Sequence, residues 1–207
     1  MDSEFAKAMD TENTLLDAAR RMDEKALVKI FDLYSASLFN YVRRLCSDPV
    51  IADHIVGDVF AKLLEQLSAG KGPKSNLRAY LYQSAYHQLI DEAHNSHRCA
   101  PLEIAESLRP EARSAFLSLE DQIMFQQILH AIRDELTGDQ RHVIFLRFFE
   151  EFSLQETAVI LGKNINHVKV IQSRALAALR RAVERQEINQ VMASSRIRSF
   201  SKVLGIW

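Results

Sequence analysis

The sequence predicts an all-α protein: two small helical domains joined by a flexible linker, the C-terminal one a helix-turn-helix. Three observations carry this. Apolar residues recur at three- and four-residue steps through most of the chain, the period of one helix face. Glycine and proline are scarce, 6 and 4 in 207 residues, too few for an all-β architecture with many tight turns. A proline-bearing stretch of weak periodicity, 99–119, separates two helical segments each long enough to bury a core.

Residues 1–24 read as an N-terminal arm, acidic and without sustained period over Met1–Thr14. From Lys25 onward, Leu27, Ile30, Phe31, Tyr34, Leu38, Val42 and Leu45 fall on one face of an amphipathic helix. Ser47-Asp48-Pro49 ends it and opens the next helix, with proline near a first-turn position where no helical amide is lost. Ile51, Ile55, Val59, Phe60, Leu63 and Leu67 form the stripe of that second helix. Ser68–Ser75 is a polar loop containing Gly70, Gly72 and Pro73. A third helix, from about Asn76 to His97, is spaced for one face by Leu77, Tyr80, Leu81, Ser84, Ala85, Gln88 and Leu89. Together these helices make one domain, 25–98. The linker 99–119 carries Pro101 and Pro110, a second helical domain occupies 120–187, and a C-terminal extension covers 188–207. Apolar residues of that extension, Trp207 among them, are expected to pack on the chain's own domains or on a regulator.

Composition narrows the function classes. No apolar run approaches the ~20 residues that cross a bilayer, so no membrane insertion is expected. With an acidic, mixed N-terminus and only Cys46 and Cys99, a cytoplasmic, reduced protein is the default. No glycine-rich phosphate loop, nucleophile elbow or paired-cysteine motif is present, so neither catalysis nor a cofactor is expected. His87, His94, His97 and Cys99 have metal-ligand chemistry but not the spacing of a standard short-loop site, and solvated helix histidines account for them as well.

The best-specified segment is Ser153–Arg181, SLQETAVILGKNINHVKVIQSRALAALRR. Ser153 and Glu156 form a capping box, each satisfying an orphan amide at a helix start. Ala158 is small where two helices cross closely, Gly162 suits a turn with positive φ, and Asn164 is a good N-cap for a second helix. Val168 and Ile171 then point inward, as a helix-turn-helix requires. Lys163, Lys169, Arg174, Arg180 and Arg181 make this segment basic, with no acid between Gly162 and Ala182. Asn166, His167, Lys169, Val170 and Ser173 are the candidates to face base edges; Arg174, Arg180 and Arg181 suit phosphates. The plain alternative is a structural helical hairpin with a solvated basic face. Charge adds a constraint: with a net charge of −1 and a pI of about 6.7, the whole chain lacks the excess of cations by which a free-standing protein holds duplex DNA.

Leu136–Arg181 resembles the C-terminal promoter-reading region of bacterial RNA polymerase sigma factors, most closely the extracytoplasmic-function (ECF) group. The residues that carry it are Thr137, Gln140-Arg141, Leu146-Arg147, Ser153, Glu156, Ala158, Leu161-Gly162, Val168-Lys169 and Ser173-Arg174-Ala175. The N-terminal domain resembles the same family in the right order. Phe31-Asp32-Leu33-Tyr34 with Leu38–Val42 is similar to the opening of its core-binding region, Ala52–Phe60 to its polymerase-docking helix, and Leu77–Tyr82 with Ile90-Asp91 to its promoter-melting helix. There are departures. The family usually has an acidic residue at His54, Gln at Gly57, Asn at His87, Arg at His94, Thr at His167 and a basic residue at Ile171. They imply an unusual promoter or docking detail.

The resemblance implies partners and roles. Core RNA polymerase would be bound through the β′ clamp helices and the β flap, with Asp53, His54, Asp58 and Lys62 docking on the clamp. Promoter DNA would be read at −35 by Asn166, His167, Lys169, Val170, Ser173, Arg174 and Arg180. The −10 element would be melted and held by Lys74, Asn76, Arg78, Tyr82, Tyr86, His87 and Gln88, since aromatic and hydrogen-bonding side chains catch unstacked bases. Tyr80 is expected in the core and Tyr86 and His87 at the surface. An anti-sigma factor is an implied regulator, and the linker would thread toward the polymerase active-site channel. Such a holoenzyme explains the neutral charge, because the larger enzyme supplies most phosphate contacts. The competing readings are a helix-turn-helix regulator acting without polymerase and a metal-binding helical protein.

Overall fold

The computed structural model describes residues 12–46, 48–96 and 119–203, with side chains described through 93 and over 127–185. The described elements are helical throughout. Residues 12–20 form α1, followed by α2 (Glu24–Leu45), α3 (Pro49–Ser68), α4 (Leu77–Ser96), α5 (Leu119–Glu135), α6 (Gly138–Ile144), a π-helical turn (Phe145–Phe149), α7 (Leu154–Ile160) and α8 (Ile165–Val203). In space the chain divides into two compact units, Met1–Glu103 with Phe145–Val168, and Ile104–Ile144 with Lys169–Trp207.

Local chemistry sets the boundaries in the first unit. Met22 ends α1 in a left-handed conformation (φ 59°), with Asp23 N donating to Ala18 O. The Asp23 side chain then accepts from Ala26 N and starts α2. Asp48 accepts from Val50 N and Pro49 opens α3, as the Ser-Asp-Pro sequence predicts. Gly70, at φ 69°, closes α3, and Lys71 N reaches back to Gln66 O. Asn76 caps α4 by accepting from Ala79 N at 3.1 Å.

Helices α2, α3 and α4 pack on one another, and α4 also packs on α7. Their core is built from Leu16, Ala19, Ile30, Leu38, Tyr41, Val42, Ala52, Val59, Leu63, Leu77, Leu81 and Ala85, all buried. The predicted stripe of α3 is buried apart from the half-buried Ile51, and that of α4 apart from the half-buried Tyr80 and Gln88; two further details differ. Phe31 is 49% exposed, not buried, because Ile30 takes the centre of the α2 face and leaves Phe31 against Phe60 at 4.9 Å. The core also begins before Lys25, since Leu16 and Ala19 of α1 are buried in it.

In the second unit Leu129, Ile132, Leu136, Val143, Ile144, Ile171, Ala175 and Ala182 are buried. Gln140 caps α6 by accepting from Thr137 N, and Arg185 on α8 pairs with Glu135 on α5 at 2.7 Å. Helix α8 continues to Val203, so the extension set apart at 188 is continuous in backbone with the second helix of the helix-turn-helix. Residues 97–118, which hold most of the predicted linker with His97 and Cys99, lie outside the described residues, as do the side chains of His94 and of the extension.

Candidate nucleic-acid interface

The helix-turn-helix forms as its sequence dictates. Ser153 and Glu156 make both bonds of the capping box: Ser153 Oγ accepts from Glu156 N at 3.1 Å, and Glu156 Oε2 accepts from Ser153 N at 2.8 Å. Burial works against charge on Glu156, but hydrogen bonds from Ser153 and Asn76 outweigh it and hold the carboxyl below its usual range. At the turn, Gly162 takes φ 60°, with Gly162 N donating to Val159 O and Lys163 N to Ala158 O, a Schellman closure. Asn164 Oδ1 then accepts from Asn166 N at 2.8 Å and starts α8.

From there α8 shows two faces. Val168, Ile171 and Ala175 are buried, whereas Asn166, His167, Lys169, Val170, Ser173, Arg174, Arg180 and Arg181 are all exposed. Every predicted −35 residue therefore lies on the solvent side of one helix. The departure at Ile171 is packing and not reading, since a buried side chain does not reach a base. On α3, Asp53, His54, Asp58 and Lys62 form one exposed stripe with Gly57, whose missing Cβ would meet nothing within 4 Å.

The predicted −10 set behaves differently. Lys74, Asn76 and His87 are exposed, and Arg78 and Gln88 are half-buried. Tyr82 is fully buried and Tyr86 is 8% exposed, against the expected exposure of Tyr86. Tyr80, expected in the core, is half-buried instead. Helix α4 carries a second buried stripe, Ala79, Tyr82 and Tyr86, which a single amphipathic face does not anticipate.

Tyr82 of that stripe lies against the segment Phe145–Val168, part of which, α7, packs on α4. The π-helical turn ends with Glu150 N donating to Phe145 O, and Glu151 follows in the left-handed region at φ 57°. This places Glu150, buried, among three α2 and α4 side chains. Its carboxylate accepts from Arg44 Nη1 at 2.7 Å and from Tyr82 Oη at 2.5 Å, and lies 3.7 Å from Arg78 Nη2. Arg78 also donates to Glu150 O. The Arg78 guanidinium stacks 4.0 Å from the Phe152 ring centre, Tyr82 meets that ring edge-on at 4.9 Å, and Arg44 lies over Phe149. Asn76 Nδ2 donates to Glu156 and Gln83 Nε2 to Val159 O. Sequence reasoning missed Arg44, Glu150 and Phe152. The available signal was one acid pair set inside the apolar run Val143–Phe152.

Two phenols at this contact give a pH prediction. Burial pushes the Tyr82 hydroxyl well up, and the Glu150 charge and hydrogen bond add to it. Burial does the same at Tyr41, with Tyr82, Tyr86 and Glu150 adding. Unfolded phenols release their protons near pH 10, so above that pH the folded chain binds more protons and stability falls as pH rises. Two such groups remove about 4 kcal/mol between about pH 10 and 11.5. Urea unfolding at stepped pH is expected to show this decline, with Tyr82→Phe reducing its slope by about a third, because burial also raises the Tyr34 hydroxyl, to about 12. A midpoint unchanged to pH 11.5 contradicts the burial of these phenols.

Residues 30–98 match the family model for sigma-70 region 2, and residues 134–181 match the model for sigma-70 region 4. The chain belongs to the sigma-70 family. Its relatives place it in the ECF group. It is 25% identical over 184 residues to the ECF RNA polymerase sigma factor BldN of Streptomyces coelicolor, covering 87% of this chain and 67% of that protein. It is 28% identical over 167 residues to the ECF RNA polymerase sigma factor SigX of Bacillus subtilis, covering 78% and 85%. Among solved structures, CnrH in complex with the cytosolic domain of CnrY matches with a TM-score of 0.63 at 20% identity, over 84% of this chain and 97% of that one. RpoE of Bartonella quintana, in complex with the anti-sigma factor NepR, matches with a TM-score of 0.59 at 24% identity, over 77% and 98%. These two share the fold. As an ECF sigma factor the chain directs RNA polymerase in transcription initiation. Region 2 is the part a polymerase-independent helix-turn-helix regulator has no use for. Among the described residues, no helix is long and apolar enough to cross a membrane, and no group of three or more His, Cys, Asp or Glu is placed to hold a metal.

Proposed function

We propose that this sigma factor docks on the β′ clamp helices of core RNA polymerase through the α3 stripe Asp53, His54, Asp58 and Lys62. The α8 face Asn166–Arg180 then reads the −35 element next to the β flap, and α4 with the loop before it engages the −10 strand through Lys74, Asn76, Arg78, Tyr82, Tyr86, His87 and Gln88. The observation that carries this reading is the sorting of α8: its basic and hydrogen-bonding residues are exposed together while Val168, Ile171 and Ala175 hold the helix from behind. The roles are non-catalytic and call for no cofactor. The place of action is the cytoplasm, where polymerase works, and an anti-sigma factor is the proposed regulator, in keeping with NepR bound to RpoE.

The test is reconstitution with core polymerase, run-off transcription and mapping of the 5′ ends. Discrete start sites sharing upstream elements are expected, and initiation no better than by core alone sinks the proposal. Reversing two charges on the stripe, Asp53→Lys with Asp58→Lys, is expected to weaken core binding about tenfold or more, from about 1 kcal/mol for each exposed pair disrupted and repulsion added. Both side chains are exposed, so the helical circular dichroism stays as it was. Unchanged core affinity in this variant removes α3 from the interface.

A further inference from the structure

We propose that the segment Glu150–Phe152 is an internal stand-in for single-stranded DNA, latched on α4, and that latch and promoter strand exclude one another. This rests on the reading of α4 as the −10 surface. The chemistry of the contact is that of a nucleotide on a strand-binding face. One anionic group, the Glu150 carboxylate, is held by two guanidiniums and a phenol, as a phosphate would be. One aromatic ring, Phe152, lies 4.0 Å from the Arg78 guanidinium and edge-on to Tyr82, where an unstacked base would lie. Asn76 and Gln83, the hydrogen-bonding side chains flanking them, are taken up by Glu156 and Val159 of the same segment.

Three features mark it as a contact made to open. Buried ion pairs add little net stability over apolar packing, and their best-attested use is in setting one arrangement against another. Arg44 Nε, buried at this contact, has no hydrogen-bond partner, so the cation set is not saturated by the one carboxylate. Glu150 is also presented by a π-helical turn followed by a non-glycine residue at positive φ, geometry that occurs at functional sites more than in plain scaffolding. Opening the latch returns Arg44, Arg78 and Tyr82 to the strand together. Sequence reasoning takes Tyr82 as a DNA ligand and the structure buries it against Glu150 and Phe152; the latch accounts for that burial.

The test uses the full chain and a fluorescein-labelled single-stranded oligonucleotide of randomised sequence, about 20 nucleotides long. Glu150→Gln keeps the shape and removes the charge that holds the arginines. It is expected to bind the oligonucleotide about tenfold tighter, the gain available when a mostly closed chain is opened. Glu151→Gln makes the same charge change one residue away, on an exposed side chain, and is expected to gain no more than about twofold. In a Cys99→Ser background, Gln83→Cys with Val159→Cys joined by a cleavable bis-maleimide holds the latch shut. Binding is expected to fall to background and to return on cleavage. Equal binding by the two glutamine variants, or by the cross-linked and cleaved chains, overturns the proposal. A Glu150→Gln gain that Arg78→Ala leaves intact overturns the α4 reading and the proposal with it. Weakening by Arg78→Ala in a chain that Glu150→Gln does not improve overturns the latch alone.

Discussion

Replacing Lys169 and Arg174 together by alanine is expected to reduce promoter-specific transcription by about 30-fold or more, while core polymerase binding stays within about twofold. Both side chains are exposed on α8, on the side opposite Val168, Ile171 and Ala175, so their loss removes contacts without opening a cavity. A specific contact to a base edge is worth about 1–3 kcal/mol, and a phosphate contact contributes mainly through released counterions. Two contacts at about 1 kcal/mol or more each give the 30-fold figure, at about 1.4 kcal/mol per tenfold. The single variants separate the roles. Lys169→Ala, nearer the start of the helix, is expected to relax preference at one position of the −35 element. Arg174→Ala is expected to weaken all promoters evenly and to lower the salt slope of binding by about 1. Run-off transcription on a promoter found by start-site mapping, with its −35 positions varied, reads both effects. A double variant that transcribes normally means that α8 does not read the −35 element.

Helical period and caps account for what the sequence foretold correctly. Asp48-Pro49, Ser153 with Glu156, Gly162 and Asn164 act within a few residues of themselves, so their effects are written locally and the structure reproduces them. The same holds for the two faces of α8, because one buried face leaves the other to solvent. Contacts distant in sequence are not written this way. Arg44 and Glu150 lie 106 residues apart, and nothing in the local pattern at either position points to the other. Helix α4 shows the limit most clearly. Leu77, Leu81, Ala85 and Leu89 mark the predicted face, but Ala79, Tyr82 and Tyr86 fall on a second face that a tyrosine hydroxyl makes equally suited to water. Which side a tyrosine takes is decided by its partner, here a carboxylate far along the chain. Phe31 errs in the other direction, an apolar side chain at the edge of its stripe that the bundle leaves half outside. The family resemblance supplied the order of the two regions and the function. It did not supply the contact of Phe145–Val168 with α4, which comes from the geometry alone.

Truncating Tyr82 to alanine is expected to lower the unfolding free energy by about 4 kcal/mol, within the range of about 3–5 for a buried aromatic residue. The ring is fully buried between Tyr41, 5.1 Å away, and Phe152, 4.9 Å away, so its removal takes two aromatic contacts as well as the transfer energy. It also takes the hydroxyl donor from the Glu150 carboxylate, leaving that charge to Arg44 and Arg78 alone. For a chain of this length, about 4 kcal/mol corresponds to a Tm about 8–16 °C lower. Tyr82→Phe keeps both ring contacts and loses only the donor to a charged acceptor, at a cost of about 1.5–3 kcal/mol. The difference between the two variants therefore measures the packing and the phenylalanine variant measures the hydrogen bond. The latch lowers the second value. A buried carboxylate that loses a donor can regain hydration by opening the contact, so the cost of Tyr82→Phe falls toward the lower end of that range. Combining Tyr82→Phe with Glu150→Gln tests this directly. Once the charge is gone the hydroxyl has less to stabilise, and the two costs are expected to add to less than their sum. Full additivity in urea unfolding means that Tyr82 and Glu150 are not coupled in solution. A Tyr82→Ala cost below about 1 kcal/mol means that the second buried face of α4 is mostly open in the free protein.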